Sequence, residues 1–127
     1  MVGDGVIAAT PTGSTAYSLA AGGSIVHHEV PAILITPVCP HSLSFRPVIV
    51  PDNLKISFKV PENFRNKSWV TVDGHSKFKL RQGAYVEISL SEYPVPHVKL
   101  KDNFDQWLNR INSELSWNKR KEQLPLL

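Results

Sequence analysis

Short apolar runs, each closed within a few residues by glycine, proline or polar side chains, recur from residue 5 to residue 90. This punctuation restricts the chain to short strands joined by turns. Gly5-Val6-Ile7-Ala8-Ala9, Ala32 to Thr36 and Pro47 to Val50 read as buried strands. Leu54, Ile56, Phe58 and Val60 alternate with Lys55, Ser57 and Lys59, the period of a strand with one face in a core and the other in water. Trp69 to Val72 and Phe78 to Leu80 flank Asp73-Gly74, a dipeptide suited to a hairpin turn of two residues or slightly more, and Val86, Ile88 and Leu90 continue the alternation. The expected fold class is therefore mostly β, an antiparallel β-sandwich-like domain whose strand order the sequence leaves open.

Two segments depart from that pattern. Ser14 to Ala21 suits a short helix after the first strand, ended by Gly22 and Gly23 because glycine tolerates positive φ. Near the carboxy terminus Phe104, Trp107, Leu108, Ile111 and Leu115 recur at three- and four-residue steps, the signature of a helix with one apolar face, and Asp102 is a fitting N-cap. This helix is expected to lay its stripe on the sandwich, where each large buried side chain contributes about 1.5–3 kcal/mol. With 127 residues, 42% of them hydrophobic, residues 1–127 are expected to form a single domain.

Fourteen Lys and Arg against eleven Asp and Glu leave a formal charge of +3, too mild to call for a nucleic-acid partner. The run Lys119-Arg120-Lys121 reads as solvated surface. No apolar stretch approaches the roughly 20 residues needed to cross a bilayer, so no membrane partner is expected. Cys39, the single cysteine, excludes an intrachain disulfide and suits a reducing compartment. No signal or transit peptide is visible before the first strand.

The segment richest in chemistry is Thr10-Pro11-Thr12-Gly13-Ser14-Thr15-Ala16-Tyr17-Ser18, where five hydroxyls besides that of Tyr17 crowd a glycine turn that leads into a helix. Free backbone N–H groups, a helix dipole end worth about 0.3–1 kcal/mol and hydroxyl donors would together make a cradle for an anion or a sugar diol. The alternative is that Ser14 or Thr15 merely caps the helix. The segment has no lysine of the kind found in a phosphate-binding Walker loop. Gly3-Asp4-Gly5 is either a turn that starts a strand or a place where Asp4 accepts hydrogen bonds from a ligand. His41 beside Ser42, with Cys39 nearby, has no carboxylate set by a motif to orient the imidazole for acyl transfer. His27-His28-Glu29 resembles a metal-ligand set only superficially, because adjacent residues of a strand point to opposite faces.

Asp4-Gly5 followed by Val6-Ile7-Ala8-Ala9-Thr10-Pro11-Thr12-Gly13-Ser14-Thr15-Ala16-Tyr17-Ser18-Leu19 and then Gly22-Gly23 closely resembles the segment that defines the carboxy-terminal half of NAD kinases. Thr36-Pro37-Val38-Cys39-Pro40-His41-Ser42-Leu43-Ser44-Phe45-Arg46-Pro47 is similar to a second family segment and looks most like the eukaryotic members. Trp69-Val70-Thr71-Val72-Asp73-Gly74 and Leu115-Ser116-Trp117-Asn118 continue the likeness over nearly the whole chain. The resemblance implies transfer of the ATP γ-phosphoryl group to the 2′-hydroxyl of the adenosine ribose of NAD, giving NADP, with a divalent cation such as Mg2+. It implies that the position of Asp4 contacts the nicotinamide side of the ligand and that those of Thr15, Ala16, Tyr17 and Ser18 line the ribose and phosphate region. The positions of Cys39, His41 and His75 face the ligand as well. A neighbouring subunit completes the family's site, so a homo-oligomer is expected, and the cytosol is the expected location, a mitochondrial form remaining open.

The family's Gly-Gly-Asp-Gly-Thr loop, whose aspartate is taken as the catalytic base, and its Asn-Glu pair belong to an amino-terminal half that this sequence does not contain. Gly3-Asp4-Gly5 is not that loop, since Val6 follows it where threonine would stand. No residue of this chain is therefore assigned as catalytic and none as a metal ligand, and the chain alone is expected to bind the dinucleotide without phosphorylating it. The rival reading from another class is a non-catalytic domain that assembles with partner chains through sheet edges or its helix. A lipid kinase domain ranks last, because lipid kinases share a two-part architecture but not the Thr-Pro-Thr-Gly-Ser-Thr-Ala-Tyr segment.

Overall fold

The computed structural model describes residues 2–96, 98 and 104–120. Among them the order is β1 (Gly5–Ala9), a 3-10 turn (Pro11–Thr15), α1 (Tyr17–Ala20), β2 (Ala32–Val38), β3 (Val48–Pro51), β4 (Ile56–Lys59), β5 (Ser68–Val72), β6 (Ser76–Leu80), β7 (Tyr85–Ile88) and α2 (Phe104–Glu114). The chain divides into two units, Met1–Glu92 and Tyr93–Leu127.

In the first unit the ladders are antiparallel and fall into three sheets, β1-β2-β3, β4-β7 and β5-β6. The expectation of a mostly β, antiparallel domain with a short helix after the first strand and a carboxy-terminal helix is thus met. β2 is the central strand of the first sheet, pairing Gly5–Ala9 on one side in the register Gly5↔Val38 to Ala9↔Leu34 and β3 on the other in the register Ala32↔Pro51 to Ile35↔Val48. Because side chains alternate along a strand, Ala32, Leu34 and Thr36 share one face, and all three are buried. Leu34 is only 1% exposed, and with Val26, Ala32 and Val60 it forms the buried apolar core of this unit.

β3, read as a buried strand, has Val48 and Ile49 about half exposed, and Leu90 lies beyond β7 and is exposed. Three further differences from the sequence reading have local causes. β2 runs through Pro37 to Val38, past the expected end at Thr36. Its pairing with β3 stops at Ile35, so Pro37 stands where β2 has a partner on one side only, a position proline can occupy. Leu54 lies before β4 rather than in it and is exposed, although Ile56, Phe58 and Val60 do alternate inward as expected. The expected helix over Ser14–Ala21 is instead a 3-10 turn and a four-residue α1, separated at Ala16, whose φ of −100° and ψ of −128° belong to neither.

The hairpin turn is as the sequence suggests. Asp73 and Gly74 both take positive φ, 49° and 74°, and the His75 N–H donates to the Val72 carbonyl at 3.0 Å. In the second unit α2 carries the expected apolar spacing, with Ile111 buried and Trp107 and Leu108 half-buried. Arg110 and Glu114 form an i,i+4 ion pair at 3.5 Å on the same helix. The candidate N-cap Asp102 and the last residue of the basic run, Lys121, lie outside the described residues. No helix among the described residues is long and apolar enough to cross a membrane.

Leu34 sits at the centre of this small core, so Leu34→Ala is expected to destabilise the fold by about 2–5 kcal/mol through lost burial and a residual cavity. The urea midpoint reads the loss, and a midpoint equal to that of the unsubstituted protein would show that the core is centred elsewhere.

Candidate functional site

The register of β1 on β2 determines which distant residues meet. Asp4 precedes β1 and Cys39 follows β2, and the antiparallel pairing puts both at one end of the strand pair. The Asp4 N–H donates to the Val38 carbonyl at 3.0 Å, and the His41 N–H donates to the Val2 carbonyl at 3.0 Å, closing the loop after β2 against the segment before β1. Gly3 permits that approach, because a Cβ there would lie 3.1 Å from both the Cys39 carbonyl oxygen and the Pro40 Cα. Asp4, Cys39 and His41 are all exposed, and Cys39 is a free thiol. Cys39 also holds a φ of 45°, a left-handed conformation uncommon outside glycine that lets the chain turn sharply off β2.

From the other end of β1 the chain enters the hydroxyl-rich turn, seeded by Pro11 at the start of the 3-10 segment and closed by a 2.9 Å bond from the Gly13 N–H to the Thr10 carbonyl. The five hydroxyls separate by burial. Ser14 is fully buried, accepts from the Val26 N–H at 3.0 Å and donates to the Val26 carbonyl at 3.2 Å. Ser18 is 1% exposed and shares a 2.8 Å hydrogen bond with Thr36 Oγ1, itself 0% exposed. Thr10 and Thr12 face solvent and bond each other at 2.9 Å, while Thr15 is half-buried.

The capping alternative does not hold, since Ala16 is the N-cap of α1, no side chain caps that helix, and Ser14 is spent on Val26. The helix-dipole part of the cradle also falls away, because four residues align too few peptide dipoles to act as a macrodipole. What the turn offers a ligand is its exposed rim. Tyr17, 63% exposed, stands between the buried anchors Ser14 and Ser18, with Ala16 exposed beside it. The Ser18 side chain lies beneath that rim rather than on it. His75 sits in the turn between β5 and β6, a sheet that shares no ladder with β1-β2-β3, and no described hydrogen bond ties it to the Asp4, Cys39 and His41 cluster.

Three supporting residues escaped the sequence reading: Thr36, Val26 and Gly23. The Gly22-Gly23 pair was the available signal, but only Gly22 has positive φ, at 86°, and it ends α1 with open space around it. Gly23 is there for contact. Its N–H donates to the Ser18 carbonyl at 2.7 Å, and an added Cβ would lie 2.8 Å from that carbonyl oxygen and from Thr36 Oγ1, and 2.4 Å from Ser18 Oγ.

Residues 1–100 match the family model of the ATP-NAD kinase C-terminal domain. The chain belongs to the ATP-NAD kinase family. It is similar to probable NAD kinase 2, chloroplastic, of Oryza sativa subsp. japonica, with 52% identity over 124 residues that make up 98% of this chain and 13% of that protein. Against ATP-NADH kinase YEF1 of Saccharomyces cerevisiae it is 50% identical over 123 residues, 97% of this chain and 24% of the relative. The crystal structure of yeast NADH kinase complexed with NADH superposes with a TM-score of 0.79 at 38% identity, covering 96% of this chain and 38% of that one. The chain therefore spans 13% and 24% of the length of these two curated family members.

Gly23→Ala forces its new methyl against a backbone carbonyl that cannot swing aside, so a loss of about 1–3 kcal/mol in stability is expected, whereas Gly22, which needs only its positive φ, tolerates Asn better than Gly23 tolerates Ala. Chemical denaturation of the two variants side by side checks the ranking, and the reverse order would overturn it.

Proposed function

We propose that this chain supplies the dinucleotide-binding part of an enzyme that transfers the γ-phosphoryl group of ATP to the 2′-hydroxyl of the adenosine ribose of NAD, giving NADP. The observation that carries the reading is the fold shared over 96% of the chain, at 38% identity, with a yeast NADH kinase solved in complex with NADH. The exposed rim at Ala16 and Tyr17, with half-buried Thr15 beside it, would receive the ribose and phosphates, and Asp4, Cys39 and His41 at the end of the β1-β2 pair would face the ligand too. His75 belongs to the same reading through the family pattern around Asp73-Gly74. Ser18 serves from below, through its bond to Thr36.

Phosphoryl transfer depends mostly on positioning and on stabilising charge spread over the transferred group. This chain contributes positioning of the acceptor: backbone and hydroxyl donors for the ribose and phosphates, and an aromatic side chain for packing. Mg2+ in phosphoryl transfer keeps several waters and is held by one or two carboxylates together with the substrate phosphates, so in this reading it would travel with ATP and neutralise charge on the transferred group. The catalytic base and the grip on ATP are ascribed to the remaining length of the parent protein, and this chain alone is expected to bind without catalysing.

A homo-oligomer whose subunits complete one another's sites belongs to the same reading. Val48 and Ile49 support it, since β3 is an edge strand of its sheet and both side chains are about half exposed on it. Cytosolic residence is proposed with it, supported by the free thiol of Cys39.

In the full-length enzyme Tyr17→Ala is expected to lower kcat/KM for NAD by roughly tenfold or more, the cost of an aromatic contact worth about 1–3 kcal/mol. Steady-state kinetics with NAD varied at saturating ATP tests this, and an unchanged kcat/KM removes Tyr17 from the site.

A further inference from the structure

The buried hydroxyl of Thr36 joins two segments that the proposed function assigns to the ligand. Its Oγ1 meets Ser18 Oγ at 2.8 Å, with both residues almost completely shielded from solvent. Ser18 directly follows Tyr17, and Thr36 lies three residues before Cys39 on the strand that leads to His41. α1 has only four residues, far below the ~12–15 at which an isolated helix begins to hold its own shape, so its position is set by what it is tied to. The ties are few: Ser14 to Val26 before Tyr17, Ser18 to Thr36 after it, and the Gly23 N–H to the Ser18 carbonyl. Thr36 is the one of these that comes from β2 and therefore fixes Tyr17 relative to the Cys39 and His41 loop. A hydroxyl buried there is otherwise unfavourable, since valine would fill the same space without a polar group to satisfy.

We infer that Thr36 is a positioning residue for dinucleotide binding, holding the Tyr17 rim in register with the loop after β2 through its hydrogen bond to Ser18. The inference rests on the dinucleotide-binding reading. It concerns geometry rather than contact, because Thr36 is sealed from solvent and touches the ligand only through Ser18 and Tyr17.

The test uses the full-length enzyme with three variants and Tyr17→Ala beside them. Thr36→Val is expected to raise KM for NAD roughly tenfold while kcat and KM for ATP stay within about twofold, and Thr36→Ser, which keeps the hydroxyl, is expected to restore KM. The double variant Ser18→Ala/Thr36→Val removes both hydroxyls, so no buried polar group is left unpaired; its melting temperature should recover toward that of the unsubstituted enzyme while KM for NAD stays high. Should the single variant fail to fold, the double variant alone carries the test. Recovery of KM along with stability in the double variant, or a KM for NAD that Thr36→Val leaves unchanged while Tyr17→Ala raises it, would overturn the positioning role and leave the binding reading intact. If Tyr17→Ala also leaves KM unchanged, the binding reading fails and the inference fails with it.

Discussion

Three hydroxyls buried with almost no exposure hold the hydroxyl-rich turn in place, Ser14 to the backbone of Val26 and Ser18 to Thr36 of the sheet, and the display of the Tyr17 rim follows from them. Burying a hydroxyl without a partner costs about 1–3 kcal/mol by the measure of protein variants, so each of these is tolerated only because it is paired. Ser14 is paired twice with the backbone of Val26, and Ser18 and Thr36 pair with each other. Apolar side chains in the same places would bury equally well but would accept many neighbouring positions. Hydrogen bonds accept few. The turn and the four-residue α1 have too little regular structure to fix themselves, and these directional contacts supply what helix propensity does not.

The same contacts separate support from display. Along Ser14 to Ser18 the chain goes from buried through half-buried Thr15 to exposed Ala16 and Tyr17 and back to buried, leaving those two residues displayed between two anchors. An exposed aromatic ring held by its neighbours' buried bonds loses little further freedom when a ligand packs on it, which is the thermodynamic advantage of a preorganised site. The Asp4, Cys39 and His41 cluster is built by another device, the antiparallel register that brings the two ends of a distant strand pair together and a glycine that lets them touch.

Much of this fold was legible because it is written in local pattern. The alternation through Ile56, Phe58 and Val60 and the Asp73-Gly74 dipeptide each state their own conformation, and the structure agrees with both. The turn was misread where local pattern and distant partner disagree. Ser14 to Ala21 has the composition of one helix with a serine cap, but the Ser14 hydroxyl has a stronger claim on it from Val26, twelve residues away, and the helix breaks at Ala16. β2 extends two residues past the expected Thr36 because β3 stops pairing at Ile35, which nothing in the sequence shows. For the site, the exposed residues were visible as an unusual run of side chains, whereas Thr36 and Gly23 look ordinary until the strand and the turn are placed against each other.

Those two residues also bear on why the sheet adopts this register and no other. A strand that slips by one residue turns every side chain to the opposite face. In β2 such a slip would take Thr36 away from Ser18 and bring Ile35 or Pro37 to the turn, leaving the Ser18 hydroxyl buried with no partner at a cost of about 1–3 kcal/mol. It would also carry the alternation of Ala32, Leu34 and Thr36 out of the interior, so the apolar pattern and the polar pair oppose the slip together. The apolar residues alone do so weakly, because Ile33 and Ile35 on the other face are as hydrophobic as Leu34 and could fill the interior in its place. The hydroxyl pair breaks that near-symmetry, since only one register gives Ser18 a partner. A slip would displace the Tyr17 rim relative to the Cys39 and His41 loop by about the 3.3 Å rise of one strand residue, comparable to the reach of a hydrogen bond, so the contact that selects the register also sets the spacing across which a dinucleotide would be held.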